Sequence, residues 1–165
     1  MDGKIKELIK IFMSEAKKIN DIRSGTKPEL KYAVGLVEVC VAFEAFINDL
    51  KYTNDIKEKR CIFSSTYQHL WKEQIQVFSQ QASLLKKELD RLPLEDMTPN
   101  TKRDPIFIRD INNLCEQIEV IYRIRSNLVH GSKTLTEERN KILIENSFFI
   151  LYNLLEIVLK QEKID

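Results

Sequence analysis

Apolar residues recur along most of this chain at spacings of three and four, the period of amphipathic α-helices. The first such run covers 4–20, with Ile5, Leu8, Ile9, Phe12 and Ala16 on one side. Ser24-Gly25-Thr26-Lys27-Pro28 reads as a turn, and Pro28 suits the first turn of the helix that follows. That helix, 29–53, is apolar nearly all round and is expected to be the most buried one. Asn54 to Arg60 reads as a polar connection, after which Ser64 or Ser65 caps a long helix. Its apolar positions Trp71, Ile75, Phe78, Ala82, Leu85, Leu89 and Leu92 alternate by four and three. The stretch 92–105 holds Pro93, Pro99 and Pro105 and is a loop within one domain, because neither flank alone makes a good core. A fourth helix follows over 106–127, with Ile111, Leu114, Cys115, Ile118, Ile121 and Tyr122 facing inward. Thr134-x-x-Glu137 is a capping box for the last helix, 135–161. The pattern predicts an all-α protein, an up-and-down bundle of about five helices forming a single domain over 1–165.

Composition agrees with this and narrows the function. A chain of 165 residues, 43% hydrophobic and 31% charged, is long enough for a real core. Four Gly and four Pro are few, as a helical protein requires. Cys40, Cys61 and Cys115 are odd in number and lie among apolar residues, so they read as reduced thiols of a cytoplasmic protein. The N-terminal segment MDGKIKELIK is charged and lacks the apolar core of a signal peptide. The longest apolar stretch, 33–50, is interrupted by Glu38, Glu44 and Asp49, so no membrane partner is expected. A net charge of +1 supplies no bulk attraction for nucleic acid, and any RNA binding has to come from a local basic patch.

Two charges stand where the pattern asks for apolar residues. Arg125 continues the stripe Ile111, Leu114, Ile118, Ile121, and Glu44 interrupts Val41-Ala42-Phe43-Glu44-Ala45-Phe46. A buried charge needs a partner, so Glu44 and Arg125 are expected to approach each other. A purely structural ion pair satisfies the same pattern. Arg125 also opens the run Arg125-Ser126-Asn127-Leu128-Val129-His130-Gly131, which holds one of two histidines. A histidine before glycine at a helix end is commonly a C-terminal cap. Residues five apart on a helix point about 140° from each other, so Arg125 and His130 converge only if the helix ends between them. Arg123 could instead share a face with Asn127 and His130. Spacing alone leaves the arginine open.

Arginine, asparagine and histidine suit one metal-free reaction, cleavage of RNA by its own 2′-hydroxyl. A histidine can move the proton and an arginine can stabilise charge on the phosphate. DNA lacks the nucleophile. The acidic residues are scattered and His69 is distant from His130 in sequence, which disfavours a metal-dependent nuclease, and no Gly-x-Ser-x-Gly elbow is present. No cofactor is expected.

The run Ile121-Tyr122-Arg123-Ile124-Arg125-Ser126-Asn127-Leu128-Val129-His130-Gly131 resembles the signature of HEPN domains, an arginine, four to six residues and a histidine at the end of a helix. With the central Asn and the His-Gly ending it is similar to the Apea-like branch, as is Phe43-Glu44-Ala45 on the second helix. The resemblance implies a helical homodimer in which each protomer contributes Arg125 and His130 to a shared cleft. It also implies metal-independent endoribonuclease activity, often in toxin–antitoxin or antiphage systems with an antitoxin or defence partner. By position, Arg125 and His130 match the motif pair, Asn127 the middle polar residue and Glu44 the acid that orients the site. The chain departs from the pattern at Ser126, often Asn, Asp or His in the family, and at Ser132, where one branch carries tyrosine. Arg123, Lys133, Arg139 and Lys141 are candidates for a basic rim that binds substrate. Some HEPN domains are non-catalytic modules that bind RNA, nucleotide or protein, and that is the alternative function.

Overall fold

The computed structural model describes residues 3–21, 28–49, 53–95, 104–130 and 137–164. They form six helices in the order α1 (Gly3–Asp21), α2 (Pro28–Asn48), α3 (Ile56–Glu73), α4 (Ile75–Arg91), α5 (Leu114–Val129) and α6 (Glu138–Gln161). The predicted all-α class holds, with one helix more than expected. Among the described residues the only β-type pairing is an isolated antiparallel bridge between Leu94 and Ile106.

Helix α1 packs on α2, and α2 on α6, which in turn contacts α4 and α5; α5 also packs on α3. The most buried position is shared. Residues Leu36, Val39, Cys40, Phe43 and Ile47 of α2 are inaccessible, while Leu30 and Val34 near its start are exposed. Helix α6 contributes Phe148, Ile150, Leu151, Leu154, Leu155 and Val158 to the same core. It is apolar and long enough to cross a membrane by composition, but 67% of that stretch is buried inside the protein, as a core helix should be. In α1 the inward stripe is Ile9, Met13 and Ala16 with Ile5 and Phe12 beside it; Leu8, expected inside, is exposed.

The early start of α3 and the extra helix have separate local causes. The polar segment 54–60 is not a connection: the Asp55 side chain accepts from the amides of Lys57 and Glu58 at 2.7 and 3.1 Å and starts α3 at once. Ser64 is therefore inside α3, where its hydroxyl donates to the Arg60 carbonyl at 2.8 Å. The long amphipathic run then breaks at Gln74, which ends α3 and precedes α4 with φ −101° and ψ 13°. The break lets Trp71 and Phe78 stack face to face, centroids 4.6 Å apart, while the Trp71 indole donates to the Ile111 carbonyl at 3.0 Å.

Helix α5 begins eight residues later than the apolar pattern suggested, because side chains capture the backbone before it. The Glu116 carboxylate accepts from the amides of Arg109 and Asp110 at 2.7 and 3.1 Å, and Asp110 accepts from the Asn112 amide at 2.9 Å. Asn113 then caps the helix by accepting from the Cys115 amide at 3.0 Å. Helix α6 starts with Glu137 at its N-cap, without a side-chain capping bond, and Thr134, expected to open a capping box for it, lies outside the described residues.

The α2–α6 contact depends on a missing side chain. A Cβ at Gly35 would lie 2.8 Å from Cε2 of the buried Phe148, whose ring also meets Tyr32 and Tyr152. Gly35→Val should therefore force the two central helices apart and destabilise the fold by ~2 kcal/mol, read as a lower midpoint in thermal or urea unfolding.

Candidate functional site

Helix α5 has two faces. Leu114, Gln117, Ile118, Val120, Ile121, Ile124 and Asn127 are buried. Glu119, Tyr122, Arg123 and Ser126, at spacings of three, four and seven, line an open cleft between α5 and α3. Ile56 and Arg60, one turn apart on α3, form the opposite wall, and Glu44 of α2 and Arg125 complete it. The cleft has a volume of about 180 Å³. Three arginines and two glutamates leave it one positive charge in excess.

Glu44 and Arg125 do come together. Arg125 Nη2 lies 4.0 Å from Glu44 Oε1, with the two side chains 28% and 32% exposed. They sit at the edge of the core rather than inside it. At that distance and exposure the attraction is worth no more than about 1 kcal/mol. It is a Coulomb contact without a hydrogen bond, and Arg125 Nε is buried with no acceptor. The guanidinium is thus placed but not saturated. Behind the pair lies Cys40, fully enclosed, whose thiol burial pushes up to about 12.

The second ion pair is much tighter. Arg60 Nε and Nη2 donate to the two carboxylate oxygens of Glu119 at 2.7 and 3.3 Å. The guanidinium lies over the Tyr122 ring, 4.5 Å from its centroid, and Phe43 packs against the same ring at 5.7 Å. The Tyr122 hydroxyl is buried without a hydrogen-bond partner. Burial first, then Cys40 and Glu44, hold its proton far above the usual phenol range, against Arg60 and Arg125. Arg60, Glu119 and Tyr122 carried no sequence signal as a site. Tyr122, expected to face inward, instead lines the cleft beside Glu119 and Ser126, and the pairing of α5 with α3 was not legible, since that segment read as a polar connection.

The other predicted residues scatter. Asn127 is 0% exposed on the inner face, and its amide donates to the Glu95 carbonyl at 2.9 Å, tying α5 to the segment after α4. This corrects the expectation that it orients Arg125 or His130: two residues on, a helix has turned about 200° and points it away from Arg125. Its position three after the buried Ile124 is the signal that marks it as core. His130 is exposed at the C-cap of α5, its amide donating to the Ser126 carbonyl at 3.1 Å. The helix does end before it, yet His130 does not line the cleft with Arg125 within one protomer. Arg123 is at the cleft wall. Arg139 donates to the Leu92 carbonyl and Lys141 pairs with Glu138 at 3.7 Å, so neither contributes to this rim. Lys133 lies outside the described residues. Among the described residues no three His, Cys, Asp or Glu side chains converge as metal ligands.

Comparison with protein-family models, with curated proteins and with solved structures gives no match for this chain.

Two substitutions separate structural from chemical roles at this face. Asn127→Ala removes the donor to Glu95 inside the core and should cost about 2 kcal/mol, measured as a lower unfolding midpoint. Tyr122→Phe removes an unsatisfied buried hydroxyl and should leave stability at neutral pH within about 1 kcal/mol of wild type or above it. Because the folded protein holds the Tyr122 proton more tightly than the unfolded chain, this contribution is intact below the unfolded phenol pKa of about 10 and is lost as pH rises beyond it. Wild type should accordingly lose stability above pH ~10 more steeply than Tyr122→Phe in alkaline melts.

Proposed function

We propose that this protein is a metal-independent endoribonuclease of the HEPN type, acting as a homodimer on RNA. The observation that carries the reading is Arg125, placed at the wall of a net-positive cleft 4.0 Å from Glu44, yet without a hydrogen bond among the described residues that would occupy it. An arginine in that state can meet a phosphate and stabilise the charge that grows on it during attack by the 2′-hydroxyl. His130, exposed at the end of the same helix, is the proton-transfer residue. Within one protomer it stands outside the cleft, so the reading requires two copies joined where the ends of α5 meet. The run Arg125 to Gly131 and its likeness to HEPN motifs favour that arrangement, and with it a place in a toxin or antiphage system with an antitoxin or defence partner.

A second reading draws on His130 and Asn127. His130 occupies a C-cap and Asn127 serves the core, as in a non-catalytic helical module that binds RNA, nucleotide or protein.

Incubation with total RNA in excess EDTA separates the two. The enzyme leaves 2′,3′-cyclic phosphate ends, His130→Ala abolishes cleavage, and Arg125→Ala lowers the rate at least ~100-fold at unchanged fold. Intact RNA with folded, dimeric wild type would overturn the nuclease and leave the module.

A further inference from the structure

Arg60 is one of the most buried charges among the described residues, with only 9% of its surface exposed, and that remainder opens on the same cleft as Arg125. Its guanidinium is fixed on two sides. The Tyr122 ring covers one face at 4.5 Å, and Glu119 occupies the Nε–Nη2 edge. The third corner, Nη1, carries no hydrogen bond among the described residues. A guanidinium held in this way has already lost its side-chain freedom, so binding through the free corner adds little entropic cost. Its place on α3 matters too. Arg123, Arg125 and Ser126 line the α5 side of the cleft, and Arg60 with Ile56 the other, so an anion in the cleft is met from both walls. Ile56, 39% exposed beside Arg60, adds an apolar surface against which a ribose or base can rest.

From this geometry we infer that Arg60 is a positioning residue that binds a second phosphate of a single-stranded RNA, next to the one held at Arg125, while Glu119 orients Arg60 and weakens that binding by its charge. The inference rests on the RNA reading above and adds to it a length of substrate: two phosphates bridging α3 and α5.

A purely structural role for the Arg60–Glu119 pair makes a different prediction. Arg60→Gln and Glu119→Gln break the same ion pair, so both would loosen the α3–α5 contact and alter RNA binding in the same direction. A phosphate-binding Arg60 makes them opposite. Removing the Arg60 charge weakens binding, and removing the Glu119 charge strengthens it while Arg60 stays on Tyr122.

The probe is a short fluorescein-labelled 2′-O-methyl oligoribonucleotide, which lacks the attacking hydroxyl and stays intact. Fluorescence anisotropy in EDTA is recorded between roughly 50 and 200 mM salt for wild type and both variants. Arg60→Gln should weaken binding about 5-fold and flatten the slope of log K against log salt by ~0.7, the loss of one phosphate contact on a single strand. Glu119→Gln should tighten binding about 3-fold at unchanged melting temperature or below it. In cleavage assays Arg60→Gln should raise KM by a similar factor and leave kcat within about 2-fold, as expected for uniform binding. Equal-direction shifts, or a salt slope indifferent to Arg60, overturn the inference. Should Arg60→Gln not fold, Glu119→Gln decides alone: unchanged or weaker binding overturns it. Opposite shifts with a wild type that cleaves no RNA would sink the nuclease and keep the subsite, whereas cleavage without those shifts would do the reverse.

Discussion

Burial of one stripe of α5 sets the position of everything at the candidate site. Leu114, Ile118, Ile121 and Ile124 are enclosed or nearly so, and each such side chain contributes about 1.5–3 kcal/mol on leaving water. No ion pair at this face approaches that sum, so the apolar stripe fixes the rotation of the helix and the charged residues accept the outcome. With that rotation set, Glu119, Tyr122, Arg123 and Ser126 have only the cleft to face, and Arg125 falls at its margin.

The two ion pairs then differ for a geometric reason. Arg60 reaches Glu119 from a neighbouring helix packed directly on α5, with Tyr122 beneath it as a flat support. The planar fork matches the carboxylate edge, and both bonds form. Glu44 reaches Arg125 from the rim of α2, past Phe43, and stops at 4.0 Å. The first pair is a brace between α3 and α5. The second is a loose Coulomb contact that leaves Arg125 Nε without an acceptor. A cleft with one pair closed and one open is polarised without being neutral.

Much of the fold could be read from the chain. The helical period and the last helix follow from apolar spacing, which is local and repeats often enough to be unambiguous, and Pro28 opens α2 as its fixed φ favours. Two of the errors came where polar side chains compete for the backbone. Asp55 starts a helix inside what looked like a connection, and the Glu116–Asp110–Asn113 network delays α5 beyond its apolar pattern. At the site, the approach of Glu44 to Arg125 was legible because each charge breaks an apolar run. Asn127 was misread because a polar residue inside a suggestive motif drew a chemical role, although its register with Ile124 marks it as core.

The sequence by itself determined the helical class, the amphipathic stripes and the pairing of two misplaced charges, since each depends on composition and periodicity over a few turns. Only the tertiary structure decided which face of α5 meets which neighbour. It brought Arg60 from 59 residues away to Glu119, set Tyr122 between Arg60 and Phe43, and left His130 at the helix end outside the cleft of its own protomer. Those outcomes depend on how helices cross, which follows from the fit of whole apolar surfaces rather than from any short run of residues.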